Sequence, residues 1–277
     1  MIRESRRRFL PAGKSILRRL GVNRMRAATI RMGCERRLLA AKRSRSLAPR
    51  DGGRILAYHA VGTPRWGLND ISPRRFRHQL KLALDAGFEF VDPLELVRSE
   101  GRSNQLAITF DDGLSSVLEN AAPILRDLHI PWTLFIVSRW VEMGHPLFGS
   151  EMFLDWHDLE RISGFGGSIG GHSATHRNFA RLSTEETTQE LFESRALVER
   201  RLGFAPTSFA IPFGQSADWT DSAARLAADA GYTVVYSQAE DTRFPGTVPR
   251  TKIAGTDNDF VFSAALRGAF DQWEEWT

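Results

Sequence analysis

The chain has 277 residues, 42% hydrophobic and 25% charged, enough to bury one sizeable globular core. Its net charge of +4 conceals a split: residues 1–50 hold 16 Lys and Arg against Glu4 and Glu35, while the other 227 residues hold 21 against 31 acids. The single cysteine, Cys34, excludes an internal disulfide framework and fits a reducing compartment, and no apolar window approaches the 18 residues a membrane-spanning helix needs.

In chain order, residues 1–50 read as a basic extension with no apolar core or small-residue cleavage site of a secretory signal. Ile16, Leu17, Leu20, Met25, Ile30, Leu38 and Leu39 sit among arginines. Two readings are open: a disordered, solvated tail, or an amphipathic helix in peripheral contact with an anionic membrane. With Phe9 its one aromatic residue and no recognised motif, the extension gives no case for specific nucleic-acid binding. Leu47–Gly53 is a turn-rich seam, after which residues 51–277 are expected to form a single domain.

Strands are predicted at Ile55–Tyr58, Phe88–Val91, Leu106–Phe110, Trp132–Val137, Ser168–Gly171, Thr207–Ile211 and Thr233–Tyr236. Between them lie helical patterns. Ser72-Pro73 caps one bearing Phe76, Leu80 and Leu84, Leu118–Leu128 carries a second apolar face, and Ser183-Thr-Glu-Glu186 opens a third that stops at Gly203. Seven strands too far apart for hairpins argue for an α/β fold with a parallel sheet. An open doubly wound sheet would satisfy that pattern, but no Gly-rich phosphate fingerprint follows the first strand, so a distorted (β/α) barrel of about seven parallel strands is favoured.

The chemistry concentrates in three segments. Leu106–Gly113, LAITFDDG, is a buried strand ending in two adjacent carboxylates, which repel unless a cation intervenes or one holds a proton. His172 and His176, in GGHSATH, are spaced as metal-ligand pairs often are, and Asp/His/His leaves open positions, as a catalytic metal requires. Phe209–Gly214 is another strand ending in a Pro/Gly turn. Taken singly, the two aspartates could cap the following helix and the histidines could be hydrogen-bonded loop residues.

TFDDG, HSATH and the strand ending in PFG, in that order, resemble the polysaccharide deacetylases of carbohydrate esterase family 4. Ala57-Tyr-His-Ala-Val-Gly62, Trp156 and Val248-Pro-Arg250 echo further family elements, so the resemblance runs from about Arg54 to Ile253. It implies that Asp112, His172 and His176 bind a divalent cation, usually Zn2+, and that Asp111 is the general base. Pro212, Phe213 and Gly214 would form the substrate and oxyanion wall, with the backbone N–H of Phe213 facing the oxyanion.

Three family features are missing. Ala210 occupies the position of the arginine that orients the base, with Arg250 as candidate replacement. No histidine follows His176 to serve as general acid, which leaves His59 as the spare candidate. The Asp-Trp motif is absent too, since Asp218-Trp219 follows Gly214 too closely. The expected activity is removal of N-acetyl groups from an amino-sugar polysaccharide, oligosaccharide or glycolipid. The alternatives are an O-acetyl carbohydrate esterase and a weakly catalytic sugar-binding module on the same scaffold. A cytoplasmic site, peripheral to the inner membrane if the extension binds there, is the expected location.

Overall fold

The computed structural model describes residues 24–43, 52–238 and 244–271. Its centre is a set of short parallel strands: β1 (Arg54–Tyr58), β4 (Glu89–Phe90), β5 (Gln105–Phe110), β6 (Trp132–Ile136), β7 (Gly167–Gly171), β8 (Ser208–Ala210), β9 (Val234–Tyr236) and β10 (Thr251–Lys252). A two-stranded annex joins β2 (Ala60–Val61) to β3 (Asp70–Ile71). The main sheet runs β10-β1-β5-β6-β7-β8-β9, with β4 beside β5. The Tyr236–Val248 bridge brings the β9 edge back to the segment entering β10, so the sheet curls into a distorted barrel. All seven predicted strands form, but β4 lies off the main path and its place there is taken by β10, which is too short to have left a sequence pattern.

The strands are parallel because helices return the chain between them: α2 (Pro73–Asp85), α3 (Pro93–Arg98), α4 (Ala122–Asp127), α5 (Ser138–Met143), α6 (Trp156–Glu160), α7 (Thr184–Leu202) and α8 (Asp221–Ala230), with α9 (Asp259–Leu266) following β10. Their ends follow the sequence signals. Ser72 Oγ accepts from Arg75 N, Ser183 and Glu186 form a capping box, and Gly203 ends α7 in the left-handed region at φ 77°. β1 and β6 are buried along their whole length, which explains why they are mostly apolar rather than alternating.

Pairing continues one residue beyond several strands. Asp111 N donates to Tyr58 O at 3.0 Å, His172 N to Ile136 O at 2.9 Å, and Ile211 N to Tyr236 O at 3.0 Å. Three sequence-distant segments are thereby held at one level, the C-terminal mouth of the barrel, where such folds place their chemistry.

Residues 24–43 correct one expectation. They form helix α1 (Arg24–Arg43), which packs on α9, so this stretch is not a disordered tail. Gly33, Arg36 and Ala40 are buried, whereas Ile30 and Leu38 are 49% and 70% exposed, so the docked face is not the one apolarity marks. Ile16, Leu17 and Leu20 lie outside the described residues, and among the described residues no helix is long and apolar enough to cross a membrane.

The α1 contact is ionic at its centre. Arg36 is 1% exposed and donates to both carboxylate oxygens of Asp257 at 2.6 Å, to Lys252 O at 3.0 Å, and lies 4.1 Å over the Phe270 ring. Arg36→Ala would strand a buried carboxylate, a change that costs about 3–5 kcal/mol. Urea unfolding of the variant at neutral pH is expected to show that loss; a change below about 1 kcal/mol, the size of an exposed pair, would mean the docking is superficial.

Candidate active site

Asp111, Asp112, His172 and His176 share one cavity of about 610 Å³, with His59, Trp66, Trp140, Phe148, Phe213 and Lys252 on its walls. Backbone strain concentrates here. Six described non-glycine residues have positive φ, and four of them belong to the site: Asp112 (78°), Ser173 (67°), His176 (63°) and Phe213 (66°). Such conformations persist only where surroundings enforce them. Ser173 Oγ accepts from His176 N at 2.8 Å, and the buried Glu190 on α7 accepts from both the backbone N–H and the hydroxyl of Thr175. The glycines before His172 serve close packing. A Cβ on Gly170 would lie 2.4 Å from the Phe135 ring, and one on Gly171 would lie 2.5 Å from the Tyr232 hydroxyl.

The two neighbouring aspartates have different electrostatic settings. Burial alone would raise Asp111, but the Arg250 guanidinium, with His172, outweighs it and holds the carboxyl well below the usual carboxylate range. Arg250 donates from Nη1 to Oδ1 at 2.7 Å and from Nη2 to Oδ2 at 2.9 Å, and also reaches Thr109 Oγ1. Arg250 is buried and not among the cavity-lining residues; it lies behind Asp111 and acts through it. Asp112 is pushed up to about 6 by burial, with the Asp111 charge adding to the rise and His172 opposing it.

Asp112 Oδ1 lies 3.7 Å from His172 Nε2 and 3.6 Å from His176 Nε2, and these donor atoms lie within 4.8 Å of one another. Those gaps exceed a hydrogen bond, yet two bonds of about 2.1 Å at a tetrahedral angle would set donors about 3.4 Å apart. The outer contacts leave the same three atoms facing inward. His172 Nδ1–H donates to Ala210 O at 2.8 Å, which leaves Nε2 as the lone-pair nitrogen, and Trp66 Nε1–H donates to Asp112 Oδ2 at 3.1 Å. Trp140 stacks on His176 with centroids 5.3 Å apart. Burial lowers both histidines, His176 to about 4. The residues fit a divalent cation.

The remaining sequence candidates fall as follows. His59 lines the cavity; it is buried, burial lowers it to about 3, and its Nδ1 has no hydrogen-bond partner. The Phe213 ring is 49% exposed and meets His176 edge-on at 4.8 Å. Pro212 and Gly214 flank it, and Gly214 O accepts from Gln238 N. Asp218 lines the cavity, and Trp219, next to it in sequence, is buried. Asp218 takes hydrogen bonds from Asn178 and the backbone of Gln215, while Trp219 packs on Phe179 and Phe209. Trp273 and Trp276 lie outside the described residues. Sequence reasoning missed Trp66, Lys252 and Glu190, whose partners are remote in sequence; only the aromatic composition of residues 138–155 hinted at the wall formed by Trp140 and Phe148.

A curled parallel sheet holding an Asp pair and two histidines at its C-terminal mouth makes a barrel with a candidate metal centre. The sequence profile described as Polysaccharide deacetylase matches residues 98–235, which carry both acids and both histidines. The chain belongs to the polysaccharide deacetylase family.

Among curated relatives, Bacillus subtilis YxkH is 23% identical over 201 residues, covering 71% of this chain and 66% of that protein. The peptidoglycan-N-acetylglucosamine deacetylase of Bacillus cereus is 27% identical over 114 residues, covering 40% of this chain and 37% of that protein. The chain thus spans just under two thirds of the first relative's length and much less of the second's. Similar solved folds include IcaB from Ammonifex degensii (TM-score 0.65, 23% identity, 79% of this chain and 97% of that one). The Streptococcus pyogenes deacetylase PplD, solved with acetate, has a TM-score of 0.63 at 22% identity and covers 75% of this chain and 94% of that one.

Proposed function

We propose that this protein hydrolyses the acetamide of an N-acetylated amino-sugar glycan, with a divalent cation, Zn2+ first among those the ligands suit, held by Asp112, His172 and His176. The observation that carries this reading is the pairing of three inward-facing donors with a second, ionised carboxylate in one cavity. The Bacillus cereus relative, named for a peptidoglycan-N-acetylglucosamine substrate, supports the substrate class. When bound, such a cation polarises the acetyl carbonyl and lowers the pKa of water. Asp111 takes the proton of the attacking water, and Arg250 holds its carboxylate in place and ionised. The Phe213 backbone N–H faces the developing oxyanion. Trp66, Trp140, Phe148 and Phe213 give the sugar ring apolar faces to rest on.

Acetate release should be followed from N-acetylated chitooligosaccharides and from O-acetylated xylan, with and without chelator. The reading expects chelator-sensitive release from the chitooligosaccharides. Release from xylan alone would make the protein an O-acetyl esterase, and no release from either substrate with the cation bound would sink both enzyme readings. The cation should also stabilise the fold: at about 100 times its dissociation constant it contributes about 2.7 kcal/mol. Thermal melts with Zn2+ are expected to rise for the wild type and to stay unchanged for His172→Ala; equal rises in both would place the cation elsewhere.

A further inference from the structure

Cleaving an amide leaves a departing amine that needs a proton, and no histidine after His176 supplies one. Outside Asp111 and the three proposed metal-binding residues, few groups on the cavity wall carry a transferable proton; Asp218 there accepts hydrogen bonds from Asn178 and Gln215 N. Arg65 and Arg181 are exposed guanidinium groups, which do not give up protons near neutral pH. His59 is a buried imidazole on the wall of the same cavity. Lys252 is the only lysine among the described cavity-lining residues, and its ammonium has three N–H bonds on a flexible stem.

Its placement suits a donor. Lys252 pairs with Ala57 across β10 and β1, two residues before His59, and Ile253 N donates to Ala57 O at 2.9 Å. It stands two residues beyond Arg250, so the strand period sends both side chains to the same face. Arg250 meets Asp111 from behind, and Lys252, one step nearer the mouth, opens on the cavity. Lys252 lines the same cavity as His59, Asp111 and Asp112. The backbone is held from outside by Arg36, which donates to Lys252 O at 3.0 Å.

We propose that Lys252 is the proton donor to the departing sugar amine; the proposal rests on the deacetylase reading above. As water adds to the acetyl carbon, a new O–C bond forms and the water proton passes to Asp111. Nζ of Lys252 gives a proton to the amide nitrogen, the C–N bond breaks, and its electron pair stays on nitrogen. The hydroxyl proton left on the acetyl carbon passes to the freed amine, and acetate and the amino sugar, as its ammonium form, leave. Asp111 then loses its proton to solvent and Lys252 takes one back, closing the cycle without a further reactant.

The test compares Lys252→Met and Lys252→Arg with wild type, each loaded with Zn2+, on an N-acetylated chitooligosaccharide and on 4-nitrophenyl acetate. The nitrophenolate leaves without a proton. Both variants are expected to lose about 100-fold or more on the amide, with the deficit largely vanishing on the aryl ester, which also reports that the site is folded. The Arg variant keeps the charge and loses the donor, so restored amide cleavage in it would overturn the proposal in favour of an electrostatic role. Equal losses on the two substrates, or no loss on the amide, would overturn it as well. A wild type that cleaves neither substrate would instead overturn the deacetylase reading, and this proposal with it.

Discussion

Asp111→Asn is expected to slow acetate release by about 10²–10⁴-fold, the range a positioned general base supplies, or about 3–5 kcal/mol of barrier. Asn keeps the size and one acceptor for Arg250 but takes no proton at neutral pH. Asp112, His172 and His176 are untouched, so cation binding should persist. The check is kcat at saturating substrate together with calorimetric titration of Zn2+ on the same sample. Near-wild-type kcat with the cation bound would remove Asp111 from the base role; loss of cation binding would show that Asp111 serves the metal centre instead.

On the scale of Arg36→Ala, Arg250→Ala is expected to destabilise the fold strongly. Its guanidinium and the Asp111 carboxylate are both buried, and truncating one partner leaves the other charge uncompensated, at a cost of about 3–5 kcal/mol. Asp111 is depressed in the folded state, so the stability it contributes is present above its unfolded pKa and lost as pH falls through the folded one. Denaturant unfolding at pH 7 therefore reads the full effect. Adding Asp111→Asn to Arg250→Ala should recover part of the loss, because the stranded charge is gone, and a double-mutant cycle measures that coupling. Strictly additive losses would mean the pair is not the stabilising unit. Arg250→Lys should fall between, keeping the charge but not the two-pronged fit.

Much of the site was legible because its chemistry sits at the ends of apolar runs. LAITF is continuous because β5 is buried on both faces, and the carboxylates that follow it stand out for that reason. HSATH is legible from its histidine spacing and preceding glycines, which turn out to be small to admit Phe135 and Tyr232. The partner of Asp111 was harder to read. It lies 139 residues away, beside a two-residue strand with no periodicity to detect, and only the motif echo at Val248-Pro-Arg250 marked it. Trp66 and Glu190 left no mark, since an indole on Asp112 and a carboxylate under Thr175 are products of the closed barrel. The α1 helix was hard to read because a buried ion pair, Arg36 with Asp257, joins Leu39 and Ala40 in docking it.

The paired acids thus have separate counter-charges: Arg250 for Asp111, and the proposed cation for Asp112. The most direct test of this division is to strip the protein with chelator, titrate Zn2+ back, and follow metal content and acetate release from an N-acetylated chitooligosaccharide together. The account predicts that release returns in step with binding and saturates at one cation per chain, with His176→Ala neither binding at that site nor recovering. Full release from metal-free protein, or saturation without release, would contradict it.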